Sequence, residues 1–216
     1  MNFDWEVATL LFVTFIISVT VHEAAHALFA KLGGDPTAYY AGQVTLNPLP
    51  HIQREPFGML ILPLLVLISN NGGACMGFAH APVNPVWAYH HPKKAALMSA
   101  AGPLANVLLA AIAFTTLWFI GRPDGATITA IYNIAGVFLR MNLLLAVLNF
   151  IPLPPLDGAG VLSGLSAPAR RFYDWLQRIP YSSLIVLVLL FMNFHHLFDP
   201  VRRTVFGWLP VHWMLR

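Results

Sequence analysis

An HExxH sequence, His22-Glu23-Ala24-Ala25-His26, lies inside an apolar run, with LLFVTFIISVT on one side and ALFA on the other. A helix places positions four apart on one face, so both imidazoles can point at one ion while Glu23 reaches a water bound to it. HExxH also arises by chance in soluble helices. In hydrocarbon, three polar or ionisable groups in one turn are costly unless they satisfy one another, a metal or a water-lined cavity. The stretch therefore calls for a ligand set or a water-lined cavity, and this is the arrangement a zinc hydrolase needs.

Composition agrees with a lipid environment. Of 216 residues, 57% are hydrophobic and 10% charged, against about 25% charged in a soluble domain. The expected class is an all-α polytopic membrane protein in a multi-pass arrangement, with about 20 apolar residues per span. The net charge of +3 comes from Lys and Arg beside apolar runs. That distribution suits topology control and lipid headgroups, and no basic, aromatic-interleaved patch points to nucleic acid. The single cysteine, Cys75, excludes an internal disulfide and a Cys-based zinc cluster, and fits a small packing residue.

Residues 5 to 31 read as a retained span of roughly 40 Å rather than a secretory signal, because no Lys or Arg precedes the run and Asp4 and Glu6 do. Lys31 and Arg54 follow it, which places the N-terminus outside and the far end in the cytoplasm. His22 and His26 then lie roughly 8 to 14 Å from the cytoplasmic end. Residues 33 to 56 are rich in Gly, Pro and turn formers. Within them AGQVTL is expected either as a short strand, whose unpaired edge an unwound substrate can join, or as a plain loop. His51 reads as a loop histidine. Residues 57 to 71 form an apolar run too short for an ordinary span, stopped by NNGG, and suggest a re-entrant or tilted element. His80, His90 and His91 fall in irregular chain and read as interfacial.

Residues 95 to 120 make a clear span. Its Ser99, Ala100, Ala101, Gly102 and Ala105 allow close helix approach, and Asn106 suggests an interhelical hydrogen bond. Residues 127 to 150 form another span and carry Arg140, which is expected to face a cavity or a partner group. The stretch that follows, Ile151 to Gly158, has three prolines in four positions and must leave helical form while still in apolar surroundings. Apart from Glu23, Asp157 alone among the nine carboxylates lies in such surroundings. A catalytic zinc takes three protein ligands and keeps one position for water, so Asp157 is the expected third ligand beside His22 and His26. The competing reading of Asp157-Gly158 is a turn pair. For these ligands to meet, the first span and the 127 to 150 span must run parallel and the 95 to 120 span antiparallel to both. The 31 to 94 segment must then begin and end on one side. Residues 163 to 180 read as cytoplasmic, and a last run from Ser182 to Phe198 is followed by the aromatic tail VFGWLPVHWMLR. The whole chain is expected to form a single membrane-embedded domain, 1–216, with a core over about 5–162 and a peripheral helix and tail over 163–216.

The sequence resembles the site-2 protease family of intramembrane zinc metalloproteases, in a compact form without a PDZ or CBS domain. HEAAH at 22–26, TLNPLPHI at 45–52, PVNP at 82–85, AGPLAN at 101–106 and NFIPLPPLDG at 149–158 carry the resemblance, over roughly residues 14 to 162. The segment GFAHAPVNP departs from the commoner GWAKPVPVNP. The resemblance implies His22, His26 and Asp157 as ligands of one zinc ion, Glu23 as general acid/base, Asn149 as a group contacting substrate near the scissile bond, and a three-helix zinc-binding core with peripheral helices. It also implies transmembrane protein substrates. A bacterial inner membrane, with the active site nearer the cytoplasmic side, is the expected location. A metal transporter would need more ligands along a path, and a catalytically silent helix-binding adaptor would not require the ligand set and base. A di-iron bundle needs a second Glu-x-x-His, which Glu6 and Glu55 do not supply.

Overall fold

Asp4 and Gly34 set the limits of the first helix, α1 (Trp5–Gly33), in a computed structural model that describes residues 3–210. The Asp4 carboxylate accepts from Val7 N at 3.0 Å. At the other end Gly34 takes φ 103°, and Asp35 N donates to Ala30 O at 2.8 Å. That left-handed C-terminal turn is one glycine adopts without steric cost. The chain continues through α2 (Thr37–Tyr40), α3 (Pro48–Arg54), a π-helical turn (Phe57–Ile61), α4 (Leu62–Ser69), α5 (Pro85–His90), α6 (Pro92–Ile120), α7 (Ala126–Asn149), α8 (Asp157–Leu165), α9 (Ala167–Gln177) and α10 (Ser182–Gly207). Among the described residues there is no strand. Three helices, α1, α6 and α7, are long and apolar enough to cross a membrane, so the chain is an all-α polytopic membrane protein. It divides into two compact units, Met1–Ala105 and Asn106–Arg216.

In the first unit, α6 runs antiparallel to α1. Lys94 Nζ and Trp87 Nε1 donate to Gly33 O at the end of α1, at 3.0 and 3.2 Å, while Met98 and then Gly102 lie against His26 and His22. The possible strand over AGQVTL does not form; residues 41–46 are turns and bends. Asn47-Pro48 starts a helix instead, because the Asn47 side chain caps Leu49 N at 3.0 Å and proline is tolerated in the first turn. The segment's polar groups turn inward. Gln43 Nε2 donates to Pro50 O and His51 Nε2 to Thr45 O, each at 3.0 Å, and His51 is buried on α3 rather than loose in a loop.

Residues 57–84 form a hairpin whose two ends meet. Helix α3 and the segment Phe57–Ser69 are bent by 111° to one another, and the second piece travels back along α1. Its end reaches the start of α1, where Asp4 N donates to Asn71 O at 3.3 Å. Gly72, at φ 83°, passes so close that a Cβ would lie 2.6 Å from Asp4 O. The chain then returns in extended form, and Phe78 N donates to Gly58 O at 3.0 Å beside the π-helical turn. Gly77 fits here because a side chain would strike Phe15 of α1 and Pro63, at 2.6 and 2.7 Å. Asp35 closes the base of the hairpin by accepting from Asn84 N at 2.8 Å and from Thr37 N at 3.0 Å. The chain from Asp35 to Asn84 thus starts and finishes at one end of α1 after its tip has reached the other.

In the second unit, the rest of α6 packs antiparallel on α7. Asn106 Nδ2 donates to Asn142 Oδ1 at 2.9 Å, and both residues are fully buried. Further along, Ala110, Ala113 and Leu117 meet Leu139, Ala135 and Tyr132 in a core that Phe206 and Leu209 complete. The prolines after α7 turn the chain back, and Tyr173 of α9 donates from its hydroxyl to Pro152 O at 2.6 Å. Helix α10 continues past Phe198 to Gly207, with its pieces Ser182–Leu190 and Met192–Gly207 bent by 49°. The i,i+3 pair of Asp199 and Arg202 at 3.3 Å supports that extension. The last six residues of the aromatic tail, 211–216, lie outside the described residues.

Candidate metal centre

Four residues separate His22 from His26 on α1, and one turn of helix brings their rings together. The two Nε2 atoms lie 3.0 Å apart. Both rings are buried, as is Glu23 at 3% exposure, and donor atoms of all three residues lie within 4.8 Å of one another. The neighbouring helix fixes one ring's protonation. His26 Nδ1 lies 2.7 Å from Met98 O, and because a carbonyl can only accept, Nδ1 carries the proton and Nε2 keeps its lone pair. This is the backbone contact that orients a metal-ligating histidine.

The residues present fit a zinc ion. Two imidazole nitrogens bound tetrahedrally at about 2.0 to 2.1 Å from zinc are separated by about 3.3 Å, close to the observed spacing. Gly102 leaves the room that both rings use. A Cβ there would lie 2.6 Å from His22 Nε2 and closer still to His26 Nε2. Glu23 Oε2 is buried without a hydrogen-bond partner, which is costly for a carboxylate that no proton or cation compensates. A positive ion beside the two rings compensates that carboxylate.

The remaining expected residues lie in the second unit. Asp157 is the first residue of α8, where the helix dipole favours a negative charge. Its neighbour Gly158 has no positive φ; it is required because a side chain would meet Ile151 O at 2.5 Å. Asp157-Gly158 is therefore a helix start pressed against the end of the preceding turn. Asn149 is the last residue of α7, and its Nδ2 donates to Leu145 O at 3.0 Å. Of the histidines outside HExxH, His80 pairs with Glu55 at 3.2 Å, and His91 Nδ1 donates to Trp87 O at 3.1 Å.

One contributor was not evident from sequence: the Met98 carbonyl is backbone and leaves no residue signature. Outside the donor set, Asp35 is 1% exposed and accepts hydrogen bonds from Thr37, before the hairpin, and from Asn84 at its end. Burial pushes its carboxyl up, but bonds from the Thr37 hydroxyl, Asn84 N and Thr37 N outweigh this and hold it below the ordinary value. Gly102 was visible as one of a run of small residues, but what it approaches was not.

Comparison with known proteins places this geometry in a family. The model of Peptidase family M50 matches residues 10–128, which include the HExxH sequence, most of α1 and all of α6. "Putative zinc metalloprotease YwhC" of Bacillus subtilis is 35% identical over 184 residues, covering 83% of this chain and 78% of that protein. "Putative zinc metalloprotease Rip2" of Mycolicibacterium smegmatis is 33% identical, covering 81% of this chain and 64% of its own length. The protein of the same name from Mycobacterium tuberculosis strain H37Rv is 29% identical, covering 92% and 70%. No solved structure matches. Since the family model spans more than half of the residues, and a relative above 30% identity shares most of its length, the chain belongs to Peptidase family M50.

Proposed function

We propose that the chain is an intramembrane zinc metalloprotease that hydrolyses peptide bonds within or near the transmembrane helices of membrane-anchored substrates. The observation that carries this reading is the convergence of two imidazole Nε2 atoms and a buried, unpartnered Glu23 carboxylate on a helix of membrane-spanning length. The family and the relatives' printed names support a metalloprotease, and the apolar helices support a site at membrane depth.

In this reading His22, His26 and Asp157 hold one zinc ion, in the pattern of three protein ligands with a fourth position left for water. Zinc, when bound, supplies a Lewis acid that polarises the scissile carbonyl and makes water a stronger nucleophile at neutral pH. Glu23 accepts the water's proton and passes it to the leaving amide nitrogen. The Met98 carbonyl holds the His26 ring in the tautomer that presents Nε2. Asn149, at the end of α7, contacts the substrate backbone beside the bond to be cut. A transmembrane substrate hides its peptide bonds in its own hydrogen bonds, so it unwinds locally before cleavage, aided by helix-weakening residues. We place the enzyme in a bacterial inner membrane with its centre nearer the cytoplasmic side, following the Lys and Arg distribution.

The test is a proteomic comparison of membranes carrying the wild-type chain or Glu23→Gln, together with the zinc content of both purified proteins. Single-span stubs accumulate in the variant, its cleavage rate falls at least about 100-fold, and its zinc content is unchanged. Undiminished turnover by Glu23→Gln contradicts the assignment.

A further inference from the structure

Arg140 interrupts the apolar sequence of α7, and neither the proposed chemistry nor the core packing uses it. It lines a cavity of about 460 Å³ between α7 and α10, together with Phe194, His195, Phe198, Asp199 and Arg202. On α10 the polar members His195, Asp199 and Arg202 fall at i, i+4 and i+7, so one face of that helix presents them together. The charges do not balance. Two guanidiniums share one carboxylate, and Asp199 Oδ1 is already taken by Arg202 Nε at 3.3 Å. Among the described residues Arg140 makes no ion pair. An arginine partway along a membrane span needs a compensating group.

Each candidate occupant meets this site differently. A cation is repelled, and a neutral apolar molecule leaves Arg140 uncompensated. A small inorganic anion answers the charge but leaves the exposed apolar residues of α10, such as Leu189 and Met192, uncovered. An amphiphile with an anionic head answers both demands. Guanidinium groups match phosphate oxygens in a bidentate fork, and basic pockets between membrane helices hold lipid phosphates in this way. The same helix leaves Leu189 and Met192 exposed, an apolar surface for acyl chains. We propose that the cavity between α7 and α10 is a binding site for the phosphate-bearing headgroup of an anionic phospholipid, gripped by Arg140 and Arg202 with the exposed Leu189 and Met192 against its upper chain. The site is separate from the HExxH residues, and its test reads binding rather than proteolysis.

The experiment uses the full-length protein, delipidated in mild detergent and titrated with phosphatidylglycerol, phosphatidylcholine of the same chains, or inorganic phosphate. Native mass spectrometry counts retained lipid. The wild type holds one phosphatidylglycerol in clear preference to phosphatidylcholine. Arg140→Gln/Arg202→Gln weakens that binding at least about tenfold, and Arg140→Lys/Arg202→Lys, which keeps the charge, loses only about threefold. If the double Gln variant does not fold, Arg202→Gln alone serves, and a loss of about fivefold is expected. Equal retention of the two lipids by the wild type, or unchanged phosphatidylglycerol binding by folded Gln variants, overturns the proposal. So does full displacement of the lipid by millimolar inorganic phosphate, which would make the site one for a free anion.

Discussion

Gly102 shows how much one missing methyl group can decide. The His22 and His26 rings occupy the space a Cβ would fill, with 2.6 Å between that position and His22 Nε2. Gly102→Ala is expected to leave α6 helical, since alanine favours helix, yet to push the imidazoles apart. Zinc affinity should drop by about 10 to 100-fold, the range seen when a ligand's support is disturbed, and a competition titration with a chelator measures it. Asp35 makes a different residue-scale prediction. Its carboxyl is held below the ordinary value, so its contribution to stability is complete above about pH 3.9 and is lost as pH falls through its lower folded value. Asp35→Asn should cost about 1 to 3 kcal/mol at neutral pH and flatten the acid limb of the thermal-unfolding profile. A variant as stable as wild type at pH 7 would show that the clamp at the hairpin base does not matter.

At the scale of elements, run length made α1, α6 and α7 legible: each needs some twenty apolar residues, and each has them. The return of the 31–94 segment to the same end of α1 was also readable, as the consequence of an α6 that runs antiparallel to α1. Its construction was not. The π-helical turn, the extended return strand of chain and the close passage of Gly58, Gly72 and Gly77 depend on contacts with Phe15, Ala8 and Phe78 that no local pattern encodes. Of the two readings of AGQVTL the loop holds, since β-branched residues favour a strand only where a partner exists, whereas Asn47 and Pro48 start a helix by themselves. The Asn106 hydrogen bond was expected, and the partner, Asn142, required the packed α6–α7 pair. Asn106→Leu leaves Asn142 with a buried, unmet oxygen and should lower stability by about 1 to 2 kcal/mol, whereas replacing both by Leu should recover most of the loss. Thermal unfolding in detergent of the single and double variants checks this; equal losses would remove the bond from the account.

Across the whole molecule, the sequence places half of a zinc site on one apolar helix and a carboxylate more than a hundred positions later, after a proline-broken span. The helix half was legible because HExxH is a local pattern whose spacing equals a helical turn. Asp157 is proposed as the third ligand by elimination and by resemblance alone, since nothing near it in the sequence states what it meets. The account stands or falls on those ligands acting together. The direct measurement is zinc K-edge X-ray absorption of the full-length protein, with zinc affinity determined for wild type and Asp157→Asn. The account predicts one zinc per chain with two imidazole nitrogens and oxygen donors, no sulfur, and an affinity loss above about 100-fold in the variant. An unaltered coordination sphere and affinity in Asp157→Asn would contradict it.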